Sequence, residues 1–445
     1  MPVFRFRAPV PSRMHSVMRR AVPVLLALLL SLPAAAQESR LPGAIEAGLL
    51  LRQADGVKRV LLVAAHPDDE DTALLATLAR GWGVEAAYFS FTRGEGGQNL
   101  IGTELGEGLG IIRTGELLAA RAIDGAAQYF GRAFDFGYSK TAEETFDEWP
   151  RELVLSDLVW VIRTFRPHVV ISMWGGTSRD GHGHHQAAGV MAREAYEAAG
   201  DPDRYPEQLT HAEPWRPLKL YRRTFFDPDA ASLTIETGSL DPLLGRSHHQ
   251  VAMASRSEHR SQGFGTAQTP GPRTTELALV HARVPSEASD PLLAGVDTTL
   301  VSLAADLGPE AIADIETYRR SIASVRGRLT ATDPGRGLPA LARAQRALSS
   351  AASRAASGGT PELRRELERR RRLLARAVLA LAGVRVQLRA RDDVWVPGQE
   401  VLVEARVWSG RDAEVTLEPP RLHAPEGWRV RPVGPDTAVE PDDTG

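Results

Sequence analysis

Ala65-His66-Pro67-Asp68-Asp69-Glu70-Asp71 sets one imidazole and four carboxylates within six positions, a concentration of donor atoms suited to a divalent cation and to acid–base chemistry. His66 and Asp69 stand three residues apart, so a segment turning into a helix can direct both at one point, with Asp68 beside it. Capping is the plainer account, since Pro favours a helix start and acids in the first turn offset the helix dipole. That accounts for one or two carboxylates, not for four in a row after a His. A second cluster, Asp180-Gly181-His182-Gly183-His184-His185, holds three of the twelve histidines within four positions and repeats the three-residue spacing between His182 and His185.

One His and one Asp from the first cluster, with one His from the second, make a two-His, one-carboxylate set that leaves a coordination position open, as a catalytic zinc requires. Zinc lowers the pKa of its water to near neutrality and polarises a carbonyl oxygen. Asp68, next to Asp69, is in place to act as general base. A departing amine needs a proton, for which His182 is the best-placed group. With no Cys in the chain, thiolate ligands, disulfides and Cys nucleophiles are excluded.

Elements must bring the two clusters together. Apolar runs at Arg59 to Ala65, Glu85 to Phe91 and Pro167 to Met173 read as strands, with helical stretches around 70–81, 107–127 and 150–165 between them. This alternation predicts an α/β, Rossmann-like, mostly parallel sheet covered by helices, with both clusters at carboxyl ends of strands, where such sheets bind ligands. Leu218 to Arg223 and Leu233 to Glu236 extend the sheet, and Pro242 to Ser261 includes a closing helix. Residues 301–383 form a helical segment, broken at Gly358-Gly359-Thr360-Pro361. Its basic strip, Arg364 to Leu374, reads as a solvated helix face rather than an anion site. From Val384 the pattern alternates with period two, which predicts a β-sandwich, incomplete because only three or four strands fit before Gly445.

The 445 residues exceed one ordinary domain; 43% are hydrophobic and 24% charged, as in a globular protein. A net charge of −3 gives no electrostatic ground for a nucleic-acid partner. Arg13, Arg19 and Arg20 precede the apolar run Val22 to Leu32 and then Pro33-Ala34-Ala35-Ala36, so residues 1–36 read as a signal peptide cleaved after Ala36. The run is short of the roughly 20 residues that span a bilayer, so the expectation is an exported, periplasmic or extracellular protein with no stable membrane span.

The Ala-His-Pro-Asp-Asp-Glu loop and the downstream His-x-x-His, each after a strand, resemble the PIG-L/LmbE-like family of zinc-dependent N-acetylglucosaminyl de-N-acetylases, over about residues 55 to 265. The resemblance implies a deacetylase domain within residues 37–300, Zn2+ held by His66, Asp69 and His185, Asp68 as base, and His182 assisting the tetrahedral intermediate and leaving group. It implies hydrolysis of an N-acyl group, most simply an acetyl on an amino sugar or glycoconjugate. An amidase on a non-sugar amide such as a thiol conjugate, and a non-catalytic carbohydrate-binding surface protein, are the alternatives. Phe91-Thr92-Arg93-Gly94-Glu95-Gly96-Gly97, Arg113-Thr114-Gly115-Glu116 and His259-Arg260-Ser261-Gln262 resemble further family stretches, which makes Arg93 and Arg113 candidate substrate contacts. The bland readings are a glycine turn, a surface Arg113–Glu116 pair and a packed His259. Many relatives have Pro-Asp where this chain has Gly183-His184, so His184 competes as a ligand. The inserts Phe134 to Trp149 and Asp201 to Pro217 are candidates to shape the substrate pocket, and the aromatic stretch Phe134 to Tyr138 reads as a small hydrophobic staple or a sugar-stacking loop.

Overall fold

The computed structural model describes residues 3–7, 43–287, 289–390, 394, 396, 398–409 and 427–433. Its strands are β1 (Val3–Arg7), β2 (Arg59–Ala64), β3 (Glu85–Ser90), β4 (Ala127–Phe130), β5 (Val169–Ser172), β6 (Lys219–Arg223), β7 (Leu233–Glu236), the short pair β8 (Leu240–Asp241) and β9 (Arg246–Ser247), β10 (Thr274–Ala282), β11 (Arg385–Ala390), β12 (Glu400–Trp408) and β13 (Arg429–Val433). Its α-helices are α1 (Gly43–Ala54), α2 (Thr72–Ala76, continued by a π turn), α3 (Glu107–Asp124), α4 (Ala142–Glu148), α5 (Arg151–Phe165), α6 (Gly183–Ala198), α7 (His248–Arg256), α8 (Leu300–Leu303), α9 (Pro309–Arg326), α10 (Leu338–Gly358) and α11 (Pro361–Leu381).

Seven strands form one sheet in the order β4-β3-β2-β5-β6-β10-β7. β4 to β6 run parallel, and β10 lies antiparallel to both β6 and β7. Every residue of β2, β3 and β5 is buried, as central strands covered on both faces must be. Leu61 and Val63 pack with Leu158, Ile162 and Met191 of α5 and α6, whereas Val60 and Leu62 meet Leu74, Leu75 and Leu117 of α2 and α3 on the opposite face. Each such side chain contributes about 1.5–3 kcal/mol by leaving water. The chain moves from β2 outward to β3 and β4, then returns to place β5 on the other flank of β2. Strand order therefore reverses between β2 and β5, and the crevice outside their carboxyl ends is the switch point at which such sheets take ligands.

The three expected strands and the helices between them form within a few residues of their expected bounds. β4, β10 and helix α6 are additions to the sequence reading.

α1 precedes the sheet in sequence but packs with the later helices: Leu50 and Leu51 share a core with Ile315, Tyr318, Ile322, Leu348, Leu367 and Leu374. The helical layer is thus discontinuous in the chain. It meets the sheet at the amino ends of β2 and β3, opposite the switch point. There the strip expected to be a solvated face is instead half interface. Glu366 and Arg370 are buried; Glu366 pairs with Arg59 and with Arg370 (2.6 Å), and Arg370 reaches Glu85 (3.3 Å). Arg371 and Arg372 stay outside, paired to Glu368 of their own helix. The reason is position: residues 363, 366, 367, 370, 373 and 374 lie on one helical face, which puts one acid and one base of the strip inward.

The C-terminal region forms a four-stranded antiparallel sheet, β11-β12-β1-β13. Among the described residues this is one sheet, not the two layers of the expected sandwich; 410–426 and 434–445 lie outside them. The apolar run Val22 to Leu32 also lies outside them. β1 falls inside the segment expected to be cleaved, so its place between β12 and β13 is that of the uncleaved chain. No helix among the described residues is long and apolar enough to cross a membrane.

Candidate metal centre and active site

The first cluster leaves β2 as a tightly tied loop. The Thr92 hydroxyl donates to the Ala65 carbonyl (3.0 Å) and the Tyr88 hydroxyl to that of His66. Asp69 folds back so that its Oδ2 accepts the backbone N–H of both His66 (2.9 Å) and Ala65 (3.1 Å). Between them Asp68 adopts φ 111°, a left-handed region that strains a residue with a side chain. Its N–H donates to Glu70 Oε2 (2.9 Å) and its carbonyl accepts from Arg256 (3.3 Å), which hold it there.

The four carboxylates have separate duties. Asp71 caps α2 by accepting from the Leu74 N–H (2.8 Å) and pairs with Arg223 (3.1 Å), so the capping account holds for this one. Glu70 is buried between Arg121 (3.1 Å) and His259 (2.9 Å). Burial alone would raise it, but His259 and then Arg121 take it down to about 2. Asp68 and Asp69 remain beside His66.

The second cluster follows β5. The Asp180 carboxylate accepts the N–H groups of Gly175 (3.1 Å) and Thr177 (2.9 Å), which closes the turn before α6. His182 is the N-cap of that helix, its Nδ1 accepting from the His184 N–H (3.2 Å). Gly183 is required, because a Cβ there would lie 2.2 Å from the Thr141 carbonyl oxygen. His185 stands in the first turn with Nδ1 against the Asp180 carbonyl (3.2 Å), and its ring stacks on Trp174 with centroids 3.8 Å apart.

The loops converge on Asp69. His66 Nδ1 lies 3.3 Å from Asp69 Oδ2, and His185 Nε2 lies 3.4 Å from Oδ1. One donor atom from each of His66, Asp69 and His185 lies within 4.8 Å of the others, close enough for the three to share one cation of the kind that two His and a carboxylate hold. The electrostatics agree. Burial would raise Asp69, yet His185 and His66 hold it well below the usual carboxylate range. Burial would lower His66, but Asp69 outweighs it and raises it to about 9, so this pocket favours positive charge.

His66, His182 and His184 form a second possible donor group. Geometry disfavours it: His66 Nε2 and His184 Nδ1 are 2.9 Å apart, a direct hydrogen bond, and His182 Nδ1 is already committed as a cap. His184 is fully buried among Phe136, Trp149 and, at 3.8 Å, Asp135. Burial, and after it the nearby His66, His182 and His185, press it down to about 2, so it is neutral. It stands as the outer partner of His66 instead of its rival. His182, lowered to about 4 by burial and then by His66 and His185, is neutral as well. With Nδ1 accepting, its proton is on Nε2. Asp68 is raised to about 7, first by burial and then by Asp69.

Arg113 and Glu116 are both buried and make no pair with each other, so the surface-pair reading fails. Glu116 accepts from the Ser261 N–H (2.6 Å) and hydroxyl (2.7 Å). Arg113 donates to the Gln98 carbonyl (2.5 Å), leaves its Nε without a partner, and is near enough to Asp68 to feel its charge. Gly97 serves more than a turn, because a Cβ there would meet the Arg113 guanidinium at 2.3 Å. Arg93 donates to the Thr114 hydroxyl (3.0 Å) and lies over the Phe130 ring, engaged with α3 and β4. His259 packs as the bland reading expects, supporting Glu70. Phe136 meets His184 edge-on as a staple would, whereas Tyr138 is exposed beside His182. Trp174 is the functional neighbour the sequence reading missed. It donates to Asp69 Oδ2 (3.3 Å) while stacking on His185, and its one signal was an aromatic placed directly after a buried strand.

Comparison with known proteins adds to this geometry. The family described as "PIG-L: GlcNAc-PI de-N-acetylase" matches residues 61–196, a stretch that contains both loops. The 1D-myo-inositol 2-acetamido-2-deoxy-alpha-D-glucopyranoside deacetylase 2 of Saccharopolyspora erythraea is 32% identical over 234 residues, 45% of this chain and 82% of the relative. The mycothiol S-conjugate amidase of Streptomyces coelicolor is 30% identical over 182 residues, 38% of this chain and 61% of that protein. Among solved structures, the N,N'-diacetylchitobiose deacetylase of Pyrococcus horikoshii aligns over 57% of this chain and 82% of its own, at 18% identity and a TM-score of 0.36.

Proposed function

Since the chain belongs to the PIG-L, GlcNAc-PI de-N-acetylase family, we propose that it is a zinc-dependent hydrolase that removes the N-acetyl group of an amino sugar or glycoconjugate. The observation that carries this reading is the His66–Asp69–His185 set at the switch point, with Asp68 next to it. Zinc held there would polarise the amide carbonyl and lower the pKa of a water.

The chain's own residues supply the rest. Asp68, at about 7, is matched to taking the proton of the attacking water near neutral pH and returning it to the departing amine. His182 presents Nε2–H, a neutral donor for the oxyanion that forms as the carbonyl becomes tetrahedral. This changes its expected part: a neutral imidazole with Nδ1 occupied is a better hydrogen-bond donor than a proton source. Trp174 covers His185 and excludes water from that flank. Arg113, with its unpartnered Nε, is the proposed substrate contact, whereas Arg93, the other candidate, is engaged by Thr114 and Phe130. The similarity to an amidase favours a second reading, hydrolysis of a thiol-conjugate amide at the same centre. The resemblance of residues 1–36 to an export signal is the basis for proposing a periplasmic or extracellular site of action, and the terminal antiparallel sheet is proposed as one layer of a sandwich.

The test is metal analysis coupled to an acetate-release screen of N-acetylated sugars and simple amides. Purified protein is expected to hold about one zinc per chain, the single-site stoichiometry of such centres. His66→Ala and Asp69→Ala should lose it. Asp68→Asn should keep it while turnover falls by about 10²–10⁴-fold, the usual contribution of a general base. Full activity in metal-stripped protein rejects the reading.

A further inference from the structure

Beside the metal centre, on the far side of Trp174, a cleft of about 390 Å³ opens between the loops that follow β5 and β6. Its two kinds of lining do not belong to an ordinary protein surface. One is aromatic: Phe225 and Phe226 are 48% and 58% exposed, although large apolar side chains gain by leaving water. Phe226 lies nearly parallel to the Trp174 ring, 14° apart in plane with centroids 6.4 Å apart, and Phe225 stands 6.2 Å from the same indole. The second lining is cationic, with Arg179, Arg193, Arg222 and Arg223 on its walls against Asp180 and Asp227.

The partners of those arginines show which charges are free. Arg223 is committed to Asp71 at 3.1 Å. Arg179 (3.6 Å) and Arg222 (2.9 Å) share one carboxylate, Asp227. Arg193 is exposed and donates to the Gly175 carbonyl (2.6 Å), and among the described residues it makes no ion pair. Asp180 is occupied by the Gly175 and Thr177 N–H groups. The cleft therefore carries an excess of positive charge in guanidinium groups, whose planar forks suit phosphate and carboxylate.

Trp174 couples this cleft to the chemistry, since one indole stacks on His185, donates to Asp69 and lines the cleft. A substrate whose amide reaches the cation has its remainder directed along that wall. We propose that this cleft is a substrate subsite that takes a sugar ring against Trp174, Phe225 and Phe226 and a phosphate or carboxylate group on Arg179, Arg193 and Arg222. This deepens the deacetylase reading and rests on it: the preferred substrate is an anionic N-acetylated sugar.

The test compares acetate release by the zinc-loaded full chain from N-acetylglucosamine, from its 1- and 6-phosphates, and from N-acetylmuramic acid, so that the phosphate and carboxylate sources are separated. At least one anionic sugar is expected to exceed the neutral one in kcat/KM by about tenfold, equivalent to one charge-assisted contact. That ratio should fall towards one in the Arg179→Ala/Arg193→Ala variant, and high salt should shrink it. Equal kcat/KM for all substrates, or a ratio unmoved by the substitutions, overturns the subsite. If no substrate releases acetate, the amino-sugar deacetylase reading fails separately. Calorimetric binding of glucosamine 6-phosphate against glucosamine then decides the subsite, with tighter binding of the phosphate, lost in the variant, supporting it and equal or absent binding overturning it.

Discussion

His184 occupies the least expected position in the centre. The sequence leaves it as a third histidine in a cluster of candidate ligands, and only its 2.9 Å contact with His66 Nε2 shows it as a partner of that ring. With a cation on His66 Nδ1, His66 Nε2–H must donate to His184 Nδ1, which fixes the tautomer of both rings. His184→Ala is therefore expected to bind zinc about 10–100-fold more weakly, the range for loss of an outer partner, as read by competition with a chromogenic chelator. Unchanged affinity would make His184 a packing residue. The grouping of His66, Asp68 and Asp69 was legible because their spacing is local. The choice among His182, His184 and His185 was not, since three imidazoles within four residues have the same local pattern and differ only in what stands opposite them.

At the level of elements, β2, β3 and β5 announce themselves as apolar runs because both of their faces are covered. β4 and β10 carry exposed positions and lie away from the sheet centre, so the same signal is diluted. Helix α6 was hidden for another reason: its buried face is built from Gly, His, Gln and several Ala, which makes little hydrophobic contrast. Charges at the foot of the sheet bind the helical layer and give it a pH dependence. His168 accepts the Arg59 backbone N–H at Nδ1 (3.2 Å). Burial first, and then Arg59, lowers its pKa from 6.5 to about 3, with Glu366 opposing and Arg370 and Arg166 adding to the effect. The unfolded chain takes up this proton below its ordinary value and the native one does not, so the contribution is complete above about pH 6.5 and is lost as pH falls towards 3. Stability should drop by up to about 1.4 kcal/mol per pH unit across that window. His168→Asn, which keeps an acceptor for Arg59 but cannot titrate there, should flatten that acid limb in urea titrations. An equally steep limb in the variant assigns the slope elsewhere.

On the scale of the whole molecule, function and attachment lie at opposite ends of one sheet. The carboxyl ends of β2 and β5 present the proposed cation site, and the amino ends of β2 and β3 are closed by α11. Loops at the site can therefore vary without disturbing the helical layer. The N-terminal segment belongs to this scale too. Mass spectrometry of protein recovered from outside the cytoplasm is expected to find a chain beginning at Gln37, whereas a chain retaining β1 would show that the leader stays.

As the proposed base, Asp68 sets a trade-off between endurance and turnover. A backbone at φ 111° is one that glycine adopts freely, and the strain of holding aspartate there is drawn from the stability of the entire fold. Asp68→Gly should raise the unfolding free energy by about 1 kcal/mol, after allowing for glycine's freer unfolded chain, while turnover disappears. Drift or selection for heat tolerance, once released from the need for activity, would favour glycine at this codon. Descendants of this protein that keep the histidines but carry Gly at position 68 would be hardy, metal-binding and inert.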